Sequence, residues 1–570
     1  MTRLNRPWLP FLFCVVNLLF MHYVFYLTGQ LEGVPDGTAF VDNLCGVGLD
    51  VSVFFLLFYL FSGRRWRMTW MGCVIATSLW SFANVVYSRF FYHYLSLSSI
   101  GQGGTLFDSL IIRCVIDKLE WLDLFYPLSL FLFLYYIIRR MSDKRPKHVV
   151  RNILFLNVIL VFVILGSLAV YCMALPGYKF WPYYTYKLNL NQKGMHLALC
   201  DPVTATFRRG SSRMLALEVY DKMQGNLKLD KKQEDIITET IEESNRNRCL
   251  DQNSQPPTNV IFILVESYMS FVSDMYVGGR EVTPFLNALK RDSATYYNGS
   301  MTANITVGES SDGQFIYLTG LLPLRSVITV STVKDLTLPG LPKLFGIPSR
   351  MVIPTAASMW NQDKMCQQYG FDNLYSSRDL AGDHDANLND QQVFQLAMEQ
   401  DEKSKEPFFS MVLTISMHMP YTEQIDPSFL IKEDSVSEEL ACYLNACHYT
   451  DTQIARYFQY LKSKGLYDRS LIVIASDHHV HLSEVPDISM SIPFYVVNGG
   501  GRERWKGVCQ QVDVYPTLLD IMGIRSRWYG LGQSLLSPNY TAKEMKWDVS
   551  EWIIKSDYFE EYLNDKYFDE

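Results

Sequence analysis

The chain has 570 residues, which is too long for one ordinary domain, so we expect two or three structural units. Its 59 acidic and 51 basic residues give a net charge of −8, and no basic stripe appears in the second half, which argues against a nucleic-acid partner. Long apolar runs fill residues 1–175, whereas the remainder has the mixed composition of a globular protein. The first part therefore belongs in lipid and the second in water.

Apolar segments in the first part approach or reach the roughly 20 residues that a helix needs to cross a bilayer. They are Trp8–Leu27, Val47–Phe61, Met68–Tyr87, Trp121–Ile138 and Ile153–Leu175. The second segment is short and contains Asp50, and the fourth begins beside Glu120 and Asp123. A cleaved signal peptide would explain only the first segment, whose apolar run is too long and is followed by no small-residue cleavage site. We expect an α-helical transmembrane bundle of five spans over residues 1–175.

The positions of Lys and Arg predict the orientation of this bundle, because basic loops stay in the cytoplasm. Basic residues precede the first span at Arg3 and Arg6, and they cluster at 63–67 and 139–151 after the second and fourth spans. The alternate loops are acidic or mixed. We therefore expect a multi-pass membrane protein, with its N-terminus inside and everything after the fifth span outside the cytoplasm.

The second part of the chain divides by composition. Residues 176–256 read as a juxtamembrane linker with one helical stretch at 230–244, and the paired prolines within 251–259 break the chain before a new domain. We expect a catalytic domain at 257–536 and an acidic helical tail at 537–570. Cysteines in this part could form disulfides outside the cytoplasm, but the sequence cannot choose a pairing.

Apolar runs rich in β-branched residues recur in this domain, at 259–267, 408–416, 470–476 and 492–498. Such runs suit strands that are buried on both faces of a parallel sheet. Helical patterns separate them, notably at 451–465. The alternation predicts an α/β domain with a mostly parallel central sheet covered by helices, and in such sheets sites form at the carboxyl ends of the strands.

Three of these runs end in polar residues. Glu266 lies at the end of the first run, His418 lies two residues after the second, and Asp477, His478 and His479 directly follow the third. One strand-end acid alone is usually only a helix cap. Carboxylates and imidazoles together suit Mn²⁺, Mg²⁺ or Zn²⁺, and no CxxC pair offers a thiolate alternative.

The stretch "GESSDGQF" at 308–315 has two compatible interpretations. Ser311 with Gln314 three residues later fits a capping box, which predicts a helix that ends near Gly320. A hydroxyl at a helix N-terminus also lies where backbone N–H groups favour a phosphate. Ser311 would then cap the helix while Ser310 attacks.

The order acid, hydroxyl, His and Asp-His resembles the alkaline-phosphatase/sulfatase superfamily, and the chain looks most like its lipoteichoic-acid-synthase branch. The motifs that carry the likeness are "NVIFILVES", "VTPFLNAL", "GESSDGQF", "WNQD", "YGFD", "LTISMHMPY", "GLYDRSLIVIASDHH" and "QVDVYPTLLDIMGI". The resemblance implies that Ser310 is the nucleophile. It also implies one divalent metal ion, usually Mn²⁺, with Mg²⁺ or Zn²⁺ as alternatives. The ligands it implies are Glu266, Ser310, Asp477 and His478.

The resemblance also implies substrate contacts, at His418, Trp360 and His479. Gln362 stands where the family commonly has arginine, and no histidine shortly precedes Trp360. The resemblance implies phosphoglycerol as the head group, and these departures keep phosphoethanolamine open as the alternative.

The reaction that the resemblance implies has two steps. A phospho head group passes from a phospholipid, phosphatidylglycerol or phosphatidylethanolamine, to Ser310 and then to an extracytoplasmic glycan, glycolipid or polymer. A sulfatase or phosphodiesterase is a weaker alternative, because "SSDGQ" lacks the proline and arginine of the C/S-x-P-x-R motif. A non-catalytic membrane binding protein would have no need of these groups at converging strand ends.

Overall fold

The computed structural model describes most of both parts of the chain. The residues described are 8–27, 36–61, 65–91, 94–97, 109–141, 203, 206–207, 210–246, 248–249, 257–325, 327–381, 387–432, 436–482, 490–499 and 507–561. The chain forms two compact units. One comprises Met1–Gly103 with Val115–Gly225, and the other Gly104–Cys114 with Asn226–Glu570.

The apolar first part is helical where it is described. The helices before residue 226 are α1 (Trp8–Leu27), α2 (Asp36–Phe61), α3 (Trp66–Phe91), α4 (Ser109–Asp117), α5 (Phe125–Arg140) and α6 (Ser211–Gln224). By length and composition, three helical stretches are apolar enough to cross a membrane, at Asn43–Phe61, Trp66–Arg89 and Trp121–Arg140, and a shorter apolar helix covers Leu9–Phe25. Helices therefore cover four of the five predicted spans. The fifth, Ile153–Leu175, lies outside the described residues.

The second span differs from its prediction, because α2 begins at Asp36 rather than at Val47. Asp50 does not interrupt this helix, since its carboxylate is fully buried and accepts the backbone N–H groups of Ser211 and Ser212 at 2.7 and 2.9 Å. The buried acid thus caps the N-terminus of α6, which makes its charge compatible with an apolar helix.

The end of α3 is fixed by an ion pair. Arg89 donates two hydrogen bonds to the carboxylate of Asp123, at 2.6 and 2.9 Å, and both side chains are at least nine-tenths buried. Such a bidentate pair has the geometry in which guanidinium and carboxylate bind best. It explains why the fourth apolar segment tolerates Asp123 at its start.

The second unit is built on an eight-stranded sheet. The strands are β1 (Asn259–Val265), β2 (Tyr276–Val277), β3 (Arg280–Glu281), β4 (Thr295–Thr302), β5 (Ser349–Val352), β6 (Asn373–Tyr375), β7 (Phe409–Leu413), β8 (Ser470–Ser476), β9 (Ile492–Val497) and β10 (Cys509–Gln510). Their order in the large sheet is β10-β4-β9-β8-β1-β7-β5-β6, and β2 and β3 form a separate hairpin. All pairings in the large sheet are parallel except those of β9 with β4 and β8.

Helices cover the sheet. They are α7 (Lys231–Arg246), α8 (Pro284–Arg291), α9 (Ser310–Thr319), α10 (Thr329–Val333), α11 (Leu341–Phe345), α12 (Gln362–Tyr369), α13 (Ser377–Ala381), α14 (Asp390–Lys403), α15 (Glu438–Ser463), α16 (Val514–Ile521), α17 (Trp547–Lys555) and α18 (Tyr558–Glu561). Short 3₁₀ turns lie at Trp121–Leu124, Ser270–Val272, Met359–Asn361, Pro427–Phe429, Tyr467–Arg469 and Gln511–Asp513. Because they cover the sheet, β1 and β8 are buried along their whole length, as their continuous apolar sequences predict.

The predicted elements of this unit exist, but several are longer or shorter than predicted. The helix predicted at 451–465 is the C-terminal part of α15, which begins at Glu438 after Ser437 caps it through the backbone N–H of Leu440. The helix predicted at 230–244 is α7. The domain boundaries at 176, 257 and 537 stay predictions. Among the described cysteines of this part, Cys249, Cys366, Cys442, Cys447 and Cys509 are all unbonded thiols.

Candidate metal centre and nucleophile

The parallel register of β1 and β8 brings two acids to one edge of the sheet. Val265 lies opposite Ser476, so the next residues, Glu266 and Asp477, leave their strands side by side. The backbone N–H of Asp477 donates to the Val265 carbonyl at 3.2 Å, which continues the ladder to the site. The carboxyl ends of these strands therefore position both acids, as the sequence predicts.

The helix α9 brings Ser310 to the same edge. A Cβ on Gly313 would lie 2.4 Å from the carbonyl oxygen of Asp477, so only glycine allows the helix to approach this closely. The loop before the helix is held by Asp312, whose Oδ2 accepts the backbone N–H groups of Thr306 and Gly308 at 3.0 and 2.9 Å. The first turn of α9 is thereby fixed from both sides.

The predicted ligand atoms converge. Ser310 Oγ lies 3.1 Å from Glu266 Oε2 and 3.0 Å from His478 Nε2. His478 Nε2 lies 3.3 Å from Glu266 Oε1 and 3.6 Å from Asp477 Oδ2. Donor atoms that share one divalent ion at about 2.0–2.2 Å are separated by roughly 3 Å. The spacing and the mixture of carboxylate, hydroxyl and imidazole therefore fit one divalent cation.

Neighbouring groups orient these ligands. Asp477 Oδ1 accepts the backbone N–H groups of Ser267 and His478 at 2.8 and 2.7 Å, which leaves Oδ2 for the site. The Nδ1–H of His478 donates to the carbonyl oxygen of His479 at 2.7 Å, so Nε2 is the nitrogen that faces Ser310 and Glu266. Metal-binding histidines typically use a backbone carbonyl in this way.

The charges in the cluster are unbalanced without a cation. Burial raises the pKa of Asp477 to about 8, and the charge of Glu266 adds to the effect. Burial also opposes ionisation of Glu266, yet its pKa is lowered because the side chain of His478 hydrogen-bonds to it. Burial lowers the pKa of His478, but the charges of Asp477 and Glu266 raise it well above its usual value. The two buried carboxylates thus require either a proton or a cation.

The predicted substrate residues lie at different distances from this cluster. His418 follows β7, and its Nδ1–H donates to the Met419 carbonyl at 2.6 Å. It lies close enough to Glu266 that its charge helps to lower the pKa of that carboxyl. The ring of His479 lies 6.5 Å from that of His478, and burial lowers the pKa of His479 to about 4. Both histidines therefore lie beside the candidate metal ligands.

Trp360 is placed less directly. It occupies the 3₁₀ turn Met359–Asn361 with a positive φ of 51°. Gln362, two residues later at the start of α12, is buried and donates from Nε2 to Gln314 Oε1 on α9 at 2.8 Å. The segment that contains Trp360 is thus tied to α9, one turn beyond Ser310.

The predicted capping box is wrong. The helix begins at Ser310, which places Ser311 inside the first turn, where its hydroxyl donates to the Gly308 carbonyl at 2.6 Å. Gln314 instead donates to Met351 Sδ at 2.9 Å and accepts from Gln362. Long-range packing of Gln314 against β5 outcompetes the local cap. The predicted end of the helix is confirmed, since Gly320 adopts the left-handed conformation.

Two residues at this edge were not predicted, Glu309 and His481. Glu309 Oε2 lies 3.2 Å from His481 Nε2 and 3.7 Å from His478 Nδ1. The sequence signal for His481 is the dense histidine run "DHHVH" at 477–481, in a chain with 10 histidines. The signal for Glu309 is its position immediately before Ser310.

Known proteins share both parts of this architecture. Residues 2–178 match the lipoteichoic acid synthase N-terminal domain, and residues 258–524 match the sulfatase domain. Lipoteichoic acid synthase 2 of Bacillus subtilis is 26% identical over 572 residues, covering 93% of this chain and 83% of the relative. Lipoteichoic acid synthase of Staphylococcus aureus is 25% identical over 545 residues, covering 90% of this chain and 80% of the relative.

A solved structure extends the likeness to the fold of nearly the whole chain. The integral membrane lipooligosaccharide phosphoethanolamine transferase A of Neisseria meningitidis superposes with a TM-score of 0.53 and 13% identity, over 94% of this chain and 99% of that chain. The present chain is a membrane protein with apolar N-terminal helices and a sulfatase-like α/β domain. The chain therefore combines a sulfatase domain with the N-terminal domain of the lipoteichoic acid synthases.

Proposed function

We propose that this protein transfers a phospho head group, phosphoglycerol as the first candidate, from a membrane phospholipid to an extracytoplasmic glycan, glycolipid or polymer. The observation that carries the proposal is the position of Ser310 Oγ, within 3.1 Å of Glu266 and 3.0 Å of His478 at the start of a helix. The lipoteichoic acid synthases to which the chain is similar support phosphoglycerol as the group transferred.

Glu266, Ser310, Asp477 and His478 would hold one divalent ion, with Mn²⁺ as the first candidate and Mg²⁺ or Zn²⁺ as alternatives. Such an ion would lower the pKa of the serine hydroxyl and neutralise charge on the phosphoryl oxygens. The hydroxyl of Ser310 donates its proton to a hydrogen bond with Glu266 Oε2. A lone pair on Ser310 Oγ is therefore left to attack the incoming phosphorus. The N-terminus of α9 adds a partial positive charge beside the phosphate.

The proposed transfer consists of two successive displacements at the same phosphorus atom. Ser310 Oγ forms a bond to phosphorus while the bond from phosphorus to the diacylglycerol oxygen breaks, and diacylglycerol leaves with a proton. An acceptor hydroxyl then attacks the same phosphorus, the bond to Oγ breaks, and the serine regains its proton. His418, beside Glu266, is the proposed contact to the leaving oxygen, with His479 and Trp360 as further substrate contacts.

The membrane part supports this reaction by keeping the enzyme at its lipid donor. We propose five spans over residues 1–175, a linker at 176–256, the catalytic domain at 257–536 outside the cytoplasm, and a helical tail at 537–570. The clusters of basic residues at 63–67 and 139–151 support this orientation.

Phosphoethanolamine is the second candidate head group, because Gln362 stands where the family commonly has an arginine. The positive charge of an arginine at this position would repel the ammonium group of ethanolamine, and a glutamine does not.

The test is mass spectrometry of the full-length protein incubated with Mn²⁺ and either phosphatidylglycerol or phosphatidylethanolamine. The proposal expects a phosphoglycerol adduct on Ser310 that is absent in Ser310→Ala and retained in Ser311→Ala. A phosphoethanolamine adduct would establish the second candidate. An adduct on Ser311 or Thr306, or none with either lipid, would contradict the assigned nucleophile.

A further inference from the structure

One side of α6 is apolar and exposed. Val219, Tyr220 and Met223 are 45%, 47% and 78% exposed, and Ala216 on the same side is also exposed. The spacing of i, i+3, i+4 and i+7 places these four residues, the apolar stripe, along one side of the helix. Single exposed apolar residues are common on proteins, but a continuous apolar surface usually marks a contact with a partner or a membrane.

The opposite side of α6 contacts the rest of the helical unit. The backbone N–H of Ser211 donates to the carboxylate of Asp50 at 2.7 Å. One carboxylate oxygen of Glu218 accepts the backbone N–H of Leu97 at 2.6 Å, and Met214 is buried. Successive residues are about 100° apart around a helix, so Ser211 and Glu218 lie within about 60° of Met214. The apolar stripe lies about 140–240° from Met214 and therefore faces away from these contacts.

The contact with Asp50 gives the depth at which α6 begins. Asp50 lies in α2, whose apolar stretch Asn43–Phe61 is long enough to cross a membrane. It follows Asn43 by seven residues, which is about 10 Å along a helix. Gly210 allows the close approach, because a Cβ there would lie 2.7 Å from the carbonyl oxygen of Gly46. The first turn of α6 therefore lies within the depth of an apolar helix that can span a bilayer.

The side chains of the apolar stripe suit the boundary between acyl chains and head groups. Tyr220 combines an apolar ring with a polar hydroxyl, as is typical of residues at this boundary. Lys222 is exposed beside the stripe, and its alkyl stem can lie along lipid while its ammonium group reaches the phosphates. A bilayer removes the stripe from water, which is the favourable state for apolar surface.

We propose that α6 is an interfacial helix, with its apolar stripe in the lipid of the leaflet at the N-terminal end of α2. The partner of this surface is the bilayer itself and not a phospholipid bound as a donor. Under the orientation proposed above, this leaflet is the outer one. The inference depends on the contact with Asp50 and on the exposed side of α6, and it does not depend on head-group transfer through Ser310.

The test is photocrosslinking of the full-length protein in vesicles of phosphatidylcholine, which is not a proposed donor. A photoreactive diazirine amino acid replaces Tyr220 or Met223, and mass spectrometry identifies the products after illumination. We expect a phosphatidylcholine adduct at both positions, and the same adducts when Ser310→Ala is also present. The matched control on the same helix is Met214, which should crosslink to protein and give no lipid adduct. Glu242, exposed on α7, should give no lipid adduct either.

Three results would overturn the interfacial helix. The first is the absence of lipid adducts at both Tyr220 and Met223. The second is a crosslink from these positions to another segment of the chain or to a second copy in place of lipid, which would show that protein covers the stripe. The third is an equal yield of lipid adduct at Glu242, which would show that the label reacts with lipid from any exposed position.

Discussion

Replacing Gly313 by alanine tests how tightly α9, which carries the proposed nucleophile, is held against the proposed metal ligands. The added Cβ would lie 2.4 Å from the carbonyl oxygen of Asp477 and 2.9 Å from its Cα. Since van der Waals contacts are favourable at about 3.5–4.0 Å, α9 or the end of β8 must move by roughly 1 Å. The obstacle is backbone, so no side chain can rotate out of the way.

Two opposing effects set the stability of this variant. Alanine stabilises a helix interior by about 1 kcal/mol relative to glycine, whereas overpacking costs about 1–3 kcal/mol. We expect unfolding to become easier by roughly 0–2 kcal/mol. Activity should fall further, by about 100-fold, because a 1 Å displacement separates Ser310 from the groups now 3.0 and 3.1 Å away.

Thermal unfolding and diacylglycerol release from a fluorescent phosphatidylglycerol, both on the full-length protein, measure the two effects. Gln395→Ala, an exposed substitution in α14, is the control for adding alanine to a helix without a collision. If Gly313→Ala releases diacylglycerol near the wild-type rate, the close approach of α9 to Asp477 does not position the nucleophile.

Three further predictions follow from the site, from a buried acid and from the topology. Glu266→Ala should remove the divalent ion proposed to bind beside Ser310, and unchanged metal content would contradict the role of Glu266 as a ligand. Burial raises the pKa of Asp451 to about 7, so the folded state binds the proton of this carboxyl more tightly than the unfolded chain does. The contribution of Asp451 to the free energy of unfolding should therefore fall as pH rises from about 4 to 7. Denaturant titrations at several pH values should show that the free energy of unfolding declines less steeply with pH in Asp451→Asn than in the wild type. An equal dependence on pH in both proteins would refute this prediction. A cysteine introduced within 142–149 should resist a membrane-impermeant reagent added to intact cells, and labelling would reverse the proposed orientation.

The sequence predicted the centre of the sheet better than its edges. β1 and β8 are continuous apolar runs because helices cover both faces, and this pattern depends little on neighbours. β4 was not predicted, since "TYYNGSMT" contains Asn, Gly and Ser, and it is a strand through its pairing with β9. The antiparallel direction of β9 has no local signal either.

The same limit applies to the site. Glu266, Asp477 and His478 could be found because each ends or follows a predictable strand. The pair of Glu309 and His481 depends on a helix start and a loop that are distant in the chain, so no spacing rule connects them. The capping box failed for a related reason, since Gln314 fits the local motif but packs against Met351 and Gln362.

The hydrogen bonds of the Asp50 carboxylate depend on a part of the chain that is synthesised much later. Its partner at Ser211 is 161 residues further along, so α2 is synthesised long before the N–H groups that satisfy its acid. An ionisable group within an apolar helix is costly in a bilayer until it finds a partner. The carboxylate of Asp50 therefore gains its backbone partners only once α6 has been made and docks against α2.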